Sequence, residues 1–600
     1  MSKRSAKLSP VQSQQLRTKL GSIMQLIKKG QHAQANASLQ PILRKHAALP
    51  DVNHVAAGLS ASMHELDRAI YYAQRAVELA PGTPEYLAGL GSILLRADRH
   101  DEAIDALGEA LRLSPGLTDV LVPLATAQMQ SGHIDESRET FTRVLEQNPA
   151  DLEAANNLAL LESDLGHADR AIGIIEDALA HHPEHPLLLD ALCMFACYSD
   201  TQSPDQVAQI HRRFGQSVQS RVRPRSDHPN TPDPDRRIRV GFVSPDLRTH
   251  SIAYFIQPIV EHLGDERFET YLYHTSRSAD AMSDLLRDAC NTWRACPEGM
   301  SQAHKQIAAD QIDILIELNG HFAGNVLPLF AARPAPVSAT MIGYANTTGL
   351  TTIDARLIDE ITDPAPTSDA WATETLVRVA GCFLCYRPPV DSPACAEPEP
   401  HRPFTFGSFN DLRKMSPACI KAWATILDRC PGSRLMIKTS RLAQQAARDD
   451  LLGRLTSHGI DPSRIELIGR TDSMSAHLGL YNQIDCALDT FPYTGTTTTC
   501  EAMHMGVPSV TLRGESHAGR VSASLMQAVG ESEWVTDGTD AYIQRAVEAN
   551  AAGVRIQSER ESLREALASS SLCDEREYTS KIAATFSTLW KRWCASKGGA

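Results

Sequence analysis

The chain has 600 residues, of which 58 are Lys or Arg and 72 are Asp or Glu, so its formal net charge is −14 with neutral histidines. This length suffices for about four compact units. The acidic balance argues against a general affinity for nucleic acid or for an anionic membrane surface. The sequence starts Met1-Ser2-Lys3-Arg4-Ser5 and continues into mixed polar residues, and no run of about 18 apolar residues follows. The 13 cysteines are scattered along the chain, which fits reduced thiols better than a disulfide framework. We therefore expect a cytoplasmic protein without membrane or nucleic-acid partners.

A repeat with a period of 34 residues fills the first third of the chain. Prolines, small residues and apolar residues recur at this step, in the series Pro81, Pro115, Pro149, Pro183; Ala76, Ala110, Val144, Ala178; and Ala69, Ala103, Ser137, Ala171. Two helices per unit, with small residues where they pack closely, are typical of the tetratricopeptide repeat. We predict an α-solenoid over residues 10–200, with clear units from about 49 to 184 after a degenerate helical pair.

Solenoids of this kind hold extended peptides on their concave surface. We therefore expect the repeat array to bind protein or peptide partners, and self-association through the repeats is a second candidate contact. The repeated small residues themselves are interpreted as packing positions without a chemical role.

A cap and linker are predicted over residues 201–236. Residues 204–219 still have a helical pattern, whereas 221–237 is rich in proline and polar residues, which cannot sustain a helix or a central strand. The pair Asp233-Pro-Asp235 lies in this linker. Two such carboxylates can hold a metal ion, but their place ahead of the first core strand argues against that use.

From Ile238 onward, buried strand patterns alternate with helical ones. This alternation predicts parallel sheets covered by helices on both faces. We predict two doubly wound, Rossmann-like halves, an N-terminal lobe over 237–395 and a C-terminal lobe over 402–595, with a cleft at the carboxyl ends of their strands. The predicted strands are 238–244, 268–274, 311–319, 404–409, 433–438, 465–468, 486–489 and 508–512, and the predicted helices are 252–263, 417–429, 474–483 and 500–504.

The sharpest motif is the string Asp489-Thr-Phe-Pro-Tyr-Thr-Gly-Thr-Thr-Thr-Thr-Cys-Glu501. A strand ends, a turn follows, and Gly495 with Thr496, Thr497, Thr498 and Thr499 opens a helix; we call residues 495–499 the threonine segment. Consecutive backbone N–H groups at a helix start, with hydroxyls beside them, suit an anion such as a diphosphate. One threonine would suffice as a cap, and four are poor helix formers, so the excess indicates a ligand. Glu501 is placed to accept from sugar hydroxyls.

A second motif, Gly407-Ser-Phe-Asn410-Asp-Leu-Arg-Lys414, follows the first strand of the C-terminal lobe. A lysine at this edge can neutralise a departing diphosphate without a metal ion. Lys414 is therefore the leading catalytic candidate, and Asn410 joins it as a binding candidate.

Four further candidate residues lie at or after the ends of predicted strands, three in the N-terminal lobe and one in the C-terminal lobe. His250, in Val243-Ser-Pro-Asp-Leu-Arg-Thr-His250, is a candidate general base or orienting group, and a helix cap is its ordinary alternative. His321, Asn325 and His517 are candidate cleft residues. Cys382-Phe-Leu-Cys385 lies in a strand-like run in which residues three apart face opposite sides, so neither a zinc nor a redox role is expected.

Together these strings resemble the nucleocytoplasmic protein O-glycosyltransferases, the O-linked N-acetylglucosamine transferases and, more closely, the SPINDLY type. The resemblance covers the repeats and both lobes, and also rests on Arg333-Pro-Ala-Pro-Val, Ile342-Gly-Tyr-Ala-Asn-Thr-Thr-Gly349, Cys382-Phe-Leu-Cys-Tyr386 and Gly506-Val-Pro. It implies a two-lobed GT-B fold and an inverting, metal-independent enzyme without a cofactor. By the same resemblance, Lys414 binds the donor diphosphate, Thr497 and Thr498 its oxygens, Glu501 the ribose and His477 the nucleoside, and His250 lies on the acceptor side.

The resemblance leaves the donor open between UDP-N-acetylglucosamine and, as in SPINDLY-type relatives, GDP-fucose. The expected reaction is sugar transfer to Ser or Thr of a protein. The proton acceptor stays open between His250, a neighbouring carboxylate and the donor's own phosphate. The alternative functions are a non-catalytic repeat scaffold and a sugar-nucleotide epimerase of the same two-lobed fold.

Overall fold

The computed structural model describes residues 9–264 and 266–597. The segment Met1–Ser5, on which the expectation of a cytoplasmic protein partly rests, lies outside these residues. The contacts within the chain divide it into two compact units between Leu161 and Glu162. Within the described ranges, no helix combines the length and the apolar character that crossing a bilayer requires.

The first unit is an array of paired helices. Small side chains occupy the predicted packing positions, and Ala69, Ala76, Ala103 and Ala110 are fully buried, which lets neighbouring helices approach closely. The predicted helix-turn-helix units are confirmed. The helices are α1 (Pro10–Lys28), α2 (His32–His46), α3 (Pro50–Ser62), α4 (Leu66–Leu79), α5 (Pro84–Arg96), α6 (His100–Leu113), α7 (Leu121–Ser131), α8 (Ile134–Gln147) and α9 (Leu152–Asp164), the last of which ends within the second unit.

The second unit begins with three more helices of the same kind, α10 (Ala168–His181), α11 (Pro186–Ala196) and α12 (Pro204–Gln219). Gly166, in the turn before α10, has a positive φ of 86°. A Cβ atom there would lie 2.7 Å from the carbonyl oxygen of Leu412, so only glycine permits this approach to the C-terminal lobe. Residues 220–237 form no helix or strand.

The N-terminal lobe is built on a parallel sheet of seven strands, in the order β3-β2-β1-β4-β5-β6-β7. The strands are β1 (Ile238–Ser244), β2 (Phe268–His274), β3 (Thr292–Ala295), β4 (Ile314–Glu317), β5 (Val337–Thr340), β6 (Ala355–Ile358) and β7 (Thr375–Arg378). The helices between them are α13 (Ser251–Leu263), α14 (Ala281–Ala289), α15 (Met300–Asp310) and α16 (Leu327–Ala331). Strands β3, β5, β6 and β7 were not predicted.

The C-terminal lobe has a parallel sheet of six strands, in the order β10-β9-β8-β11-β12-β13. Two parallel doubly wound lobes are thus confirmed as the fold class. The strands are β8 (Thr405–Ser408), β9 (Arg434–Lys438), β10 (Ile465–Ile468), β11 (Cys486–Leu488), β12 (Ser509–Leu512) and β13 (Val535–Thr536). The helices are α17 (Pro417–Arg429), α18 (Gln445–Thr456), α19 (Met474–Gly479), α20 (Thr497–His504), α21 (Val521–Val529), α22 (Thr539–Ala552) and α23 (Gln557–Ala568).

The last helix, α24 (Glu575–Lys597), packs in the core of the other lobe. Its buried side chains Tyr578, Ile582, Phe586 and Trp590 belong to the same apolar cluster as the first strands of the N-terminal sheet. Sequence alone assigns these residues to the range of the C-terminal lobe, because no local pattern reveals which sheet a helix covers. The domain boundaries proposed above remain predictions.

Candidate functional site

The order of strands brings the two main motifs together. In the C-terminal sheet, β8 and β11 are neighbours, while the chain continues from β8 outward to β9 and from β11 outward to β12. A crevice opens at such a point, where successive connections leave a parallel sheet in opposite directions. The loop after β8 carries Asn410 and Lys414, and the loop after β11 leads to the threonine segment.

Lys414 reaches across to the threonine segment. Its ammonium donates a hydrogen bond to the carbonyl oxygen of Gly495, and its Nζ atom lies 4.4 Å from the centre of the Tyr493 ring. Burial lowers the pKa of Lys414 to about 8, although the carboxylates of Asp489 and Asp411 favour the charged form. A cation with little water around it interacts strongly with an arriving anion.

Asp411, three residues before the lysine, is paired with a cation of its own. The guanidinium of Arg413 donates to both carboxylate oxygens, with N···O distances of 3.0 and 3.2 Å. Burial opposes ionisation of Asp411, but Arg413 and Arg441 outweigh it and lower its pKa to about 2. The negative charge next to Lys414 is therefore compensated locally.

Asp489, the first residue after β11, organises the loop between the strand and helix α20. Its Oδ1 atom accepts from the backbone nitrogens of Thr490 and Gly495 at 2.9 and 3.1 Å, and from the side chain of Asn410 at 3.3 Å. Its Oδ2 atom accepts from the hydroxyl of Thr511 at 2.8 Å. This buried carboxylate thus fixes the backbone that places the threonine segment.

Asn410 connects that carboxylate to helix α20. Its Oδ1 atom accepts from the hydroxyl of Thr498 at 2.9 Å, while Thr499 is buried and shares a hydrogen bond with Ser522. Thr497 and Thr498 are only partly buried, and the first N–H groups of a helix lack partners within it. The start of α20 therefore presents amides and hydroxyls beside Lys414.

Glu501 and His477 form the other end of the site. The Nε2 atom of His477 lies 3.0 Å from Oε2 of Glu501, and the hydroxyl of Tyr481 donates to the same oxygen at 3.2 Å. On its other side, Nδ1 of His477 accepts from the ammonium of Lys438 at 2.8 Å. These contacts fix the imidazole with its proton on Nε2, directed at the carboxylate.

Lys438 is a residue that the sequence reasoning missed. It ends strand β9, next to β8, and burial lowers its pKa, although Glu501 favours its charge. Its position could have revealed it. A polar residue at the carboxyl end of a central strand is a candidate site residue when the neighbouring strand also leads to one.

His250 follows strand β1 of the N-terminal sheet and caps helix α13. Its Nδ1 atom accepts from the backbone nitrogen of Ile252 at 3.3 Å, at the start of α13. Partial burial lowers the pKa of His250, although Asp246 favours its charged form. One turn later, the pKa of Tyr254 is raised by burial and by the carboxylates of Asp280 and Glu501. Tyr254 on α13 is thus close enough to Glu501 on α20 for the two side chains to interact electrostatically.

His321 and Asn325 contact the repeat helices. Nδ1 of His321 lies 2.7 Å from Asp190 on α11, and its Nε2 lies 3.1 Å from the carbonyl oxygen of Thr348. The amide of Asn325 donates to the other oxygen of Asp190 at 2.9 Å. Both polar side chains therefore tie the N-terminal lobe to α11, and among the described residues neither is hydrogen-bonded to the threonine segment.

His517 lies between the lobes. Its Nδ1 atom is hydrogen-bonded to the carboxylate of Asp363. Burial opposes the charge of Asp363, yet Arg356 and His517 lower its pKa to about 2. The next residue, Ala518, accepts from the backbone and hydroxyl of Thr494 at 2.9 and 3.0 Å. The loop that carries His517 therefore adjoins the threonine segment.

The histidines and carboxylates of the potential metal-ligand groups elsewhere already have hydrogen-bond partners. Among residues 9–264 and 266–597, the groups of three close enough to share an ion are Cys193, His211, His321 and Glu261, His262, Glu575. His211 accepts from Tyr344 at 2.8 Å, and Arg387 donates to both carboxylates of the second group. All 13 cysteines are free thiols, and burial raises the pKa of Cys382 and Cys385 to about 12.

Family models match both the repeat helices and the two lobes. A model of glycosyl transferase family 41 matches residues 205–385 and 398–582, more than half of the chain. Two tetratricopeptide-repeat models match residues 61–118 and 94–161. These matches cover part of the repeat array and most of both lobes.

Curated plant proteins are similar over both lobes. The protein of Petunia hybrida named probable UDP-N-acetylglucosamine–peptide N-acetylglucosaminyltransferase SPINDLY is 38% identical over 405 residues, which are 66% of this chain and 43% of that protein. Its counterpart in Arabidopsis thaliana is 38% identical over 401 residues, 65% of this chain and 43% of its own length. The chain thus spans less than half the length of these plant relatives.

A solved structure matches nearly the whole chain. A mutant O-GlcNAc transferase of Thermobaculum terrenum is 29% identical, with a TM-score of 0.74, and the match covers 92% of this chain and 99% of that one. The combination of repeat helices and two parallel lobes is therefore found in a protein of that name.

Proposed function

This chain belongs to glycosyl transferase family 41, and from that premise we propose that it transfers a sugar from a nucleoside diphosphate to a Ser or Thr hydroxyl of a protein. The donor is UDP-N-acetylglucosamine or GDP-fucose. The names of the plant relatives and of the matching structure support a protein O-glycosyltransferase. The repeat array would hold the acceptor protein.

The observation that carries this proposal is the convergence of Lys414 and the start of α20 at the switch point of the C-terminal sheet. An ammonium, backbone amides and threonine hydroxyls lie close together there, and groups of these kinds bind a diphosphate. As the bond to the sugar breaks, negative charge grows on the leaving diphosphate, and these groups stabilise it. They would supply the charge compensation that other transferases obtain from a metal ion, so we propose a metal-independent reaction.

Glu501 would bind the ribose. Its carboxylate is held by His477 and Tyr481, so its orientation is fixed before the nucleotide arrives. Ribose hydroxyls are donors, and a preoriented carboxylate accepts them at little entropic cost. His477 would lie beside the nucleoside and keep Glu501 in place.

His250 would orient the reactants rather than remove the acceptor proton. Because its Nδ1 lone pair accepts from Ile252, a neutral imidazole carries its proton on Nε2 and can only donate there. Taking up a proton at Nδ1 would break the helix cap. This leaves Asp246, 4.0 Å from Nδ1 of His250, and the donor's own phosphate as acceptors of the hydroxyl proton.

Titration with nucleotides tests the function and identifies the donor. Calorimetry with UDP, GDP and their N-acetylglucosamine and fucose conjugates should show binding of one nucleotide, and mass spectrometry should show one added sugar on an acceptor protein. Binding of no nucleotide would favour a scaffold. Consumption of the donor without a glycosylated acceptor would favour an epimerase.

The pH dependence of the reaction should report Lys414. Because its pKa in the free protein is about 8, the side chain is a charged ammonium below that pH and a neutral amine above it. We therefore expect kcat/KM for the donor to fall as the pH rises through about 8, because kcat/KM follows the free enzyme. The fall in kcat should begin at higher pH, since the bound diphosphate stabilises the ammonium.

The variant Lys414→Arg is the matched control for this profile. A guanidinium stays charged across the whole range, so the residual activity of this variant should show no decline near pH 8. A wild-type profile that is flat up to pH 10 would contradict the assignment.

A further inference from the structure

An aromatic stack joins the repeat helices to the catalytic lysine. Tyr198 follows helix α11 and is 3% exposed. Its ring lies on that of Tyr493, with the centres 5.2 Å apart and the planes 28° from parallel. Tyr493 in turn lies 4.4 Å from Nζ of Lys414. Tyr198 therefore supports the ring against which the ammonium lies.

A second cation lies against the other ring. The guanidinium carbon of Arg413 is 5.8 Å from the centre of the Tyr198 ring. Arg413 is held by Asp411, and Asp411 lies 3.8 Å from Arg441, which donates to Asp164 at the end of α9 with an N···O distance of 2.6 Å. The charged residues next to Lys414 are thus connected through Arg441 to the end of the repeat helix α9.

The backbone around Lys414 is held from the same side. Arg454 donates to the carbonyl oxygen of Leu165, in the turn after α9, at 2.8 Å and to that of Met415 at 2.5 Å. Asp200 accepts from the backbone nitrogen of Ala418, at the start of α17, at 2.9 Å. Two residues that follow Lys414 in the chain, Met415 and Ala418, are therefore tied to the turns after α9 and α11.

We propose that Tyr198 is a positioning residue for Lys414 and acts through the ring of Tyr493. An ammonium is attracted to the face of an aromatic ring only when the ring keeps its orientation. Tyr493 lies in the loop before Gly495, and the stack with Tyr198 restrains the orientation of its ring. The proposal rests on the proposed function, because it takes Lys414 as the group that binds the diphosphate. In this arrangement the end of the repeat array forms part of the catalytic centre.

The test compares Tyr198→Leu with Tyr198→Phe. No described residue is hydrogen-bonded to the Tyr198 hydroxyl in the structure, so the phenylalanine variant keeps the stack and should bind the nucleoside diphosphate within about twofold of the wild type. The leucine variant should bind about tenfold more weakly in calorimetry. Tyr198→Met, whose flexible side chain fills the same space, should show the same loss and serves if the leucine variant fails to fold.

A pH series separates positioning from a merely structural role. The groups that face the ammonium are Asp489, Asp411, Arg413 and the Tyr493 ring, and the variants change none of them. Since burial lowers the pKa of Lys414, a loosened stack admits water and should move the alkaline loss of diphosphate binding to higher pH. Loss of folded protein alone would leave that midpoint unchanged.

The possible outcomes separate a failure of this inference from a failure of the proposed function. If the wild type binds UDP or GDP and the folded leucine or methionine variant binds it equally well with the same pH midpoint, Tyr198 does not position Lys414. If the wild type binds neither nucleotide, the proposed function fails and the inference fails with it. An equal loss in the phenylalanine variant would also overturn the inference, because the hydroxyl rather than the ring would then matter.

Discussion

Lys414→Ala is expected to reduce sugar transfer on the order of 10³-fold while the protein stays folded. The variant removes the one ammonium that contacts the threonine segment in the described residues, and preorganised charge at the leaving group contributes effects of this size. Because that charge matters most in the transition state, kcat should fall more than the affinity for the donor. Single-turnover measurements with saturating donor would show the loss directly.

Lys421→Ala provides the matched control. Lys421 lies on α17, seven residues further along, and is exposed, so its removal changes the net charge equally without touching the site. This variant should retain wild-type activity. If Lys414→Ala turned over at a rate within tenfold of the wild type, Lys414 would have no part in stabilising the leaving group.

Asp489→Ala is expected to lower both the stability of the protein and its affinity for nucleotide. Four donors converge on this buried carboxylate, the backbone nitrogens of Thr490 and Gly495 and the side chains of Asn410 and Thr511. Leaving them without partners should cost about 3 kcal/mol in the free energy of unfolding and lower the melting temperature by roughly 5 °C. The loop before α20 would lose its restraint, so nucleotide binding should weaken as well.

Two further substitutions serve as a conservative variant and a control for this result. Asp489→Asn keeps the size and one acceptor oxygen, so its melting temperature should lie between those of the wild type and the alanine variant. Asp472→Ala, at an exposed position in the same lobe, should leave both melting and binding unchanged. A stable Asp489→Ala variant with wild-type nucleotide affinity would show that this hydrogen-bond centre does not hold the site together.

The meeting of Lys414 with the threonine segment could be predicted because both signals are local. A lysine just after one strand and threonines after another are visible in short strings, and the parallel topology explains why they meet. Lys438 was missed because its string, at the end of β9, carries no turn motif or unusual run. Strands β5 and β6 have only four residues each and are buried throughout, so they lack the alternation that marks a half-buried strand.

The surroundings of His321 could not be predicted for a different reason. Its partner Asp190 is 131 residues away in the sequence, and the pairing exists only because α11 packs against the N-terminal lobe. The same holds for Tyr198 and Tyr493, which are far apart in the chain. A polar residue at a strand end indicates an edge of the sheet, but what covers that edge is decided by tertiary packing.

The position of helix α24 has a consequence for how the protein is made. Tyr578, Ile582 and Trp590 complete an apolar core whose first strand begins at Ile238. During synthesis, more than 300 residues therefore leave the ribosome between the opening and the closing of that core. The N-terminal lobe must wait, with its apolar face uncovered, until the C-terminal lobe has been translated, so nascent chains stalled before residue 575 should be clients for chaperones.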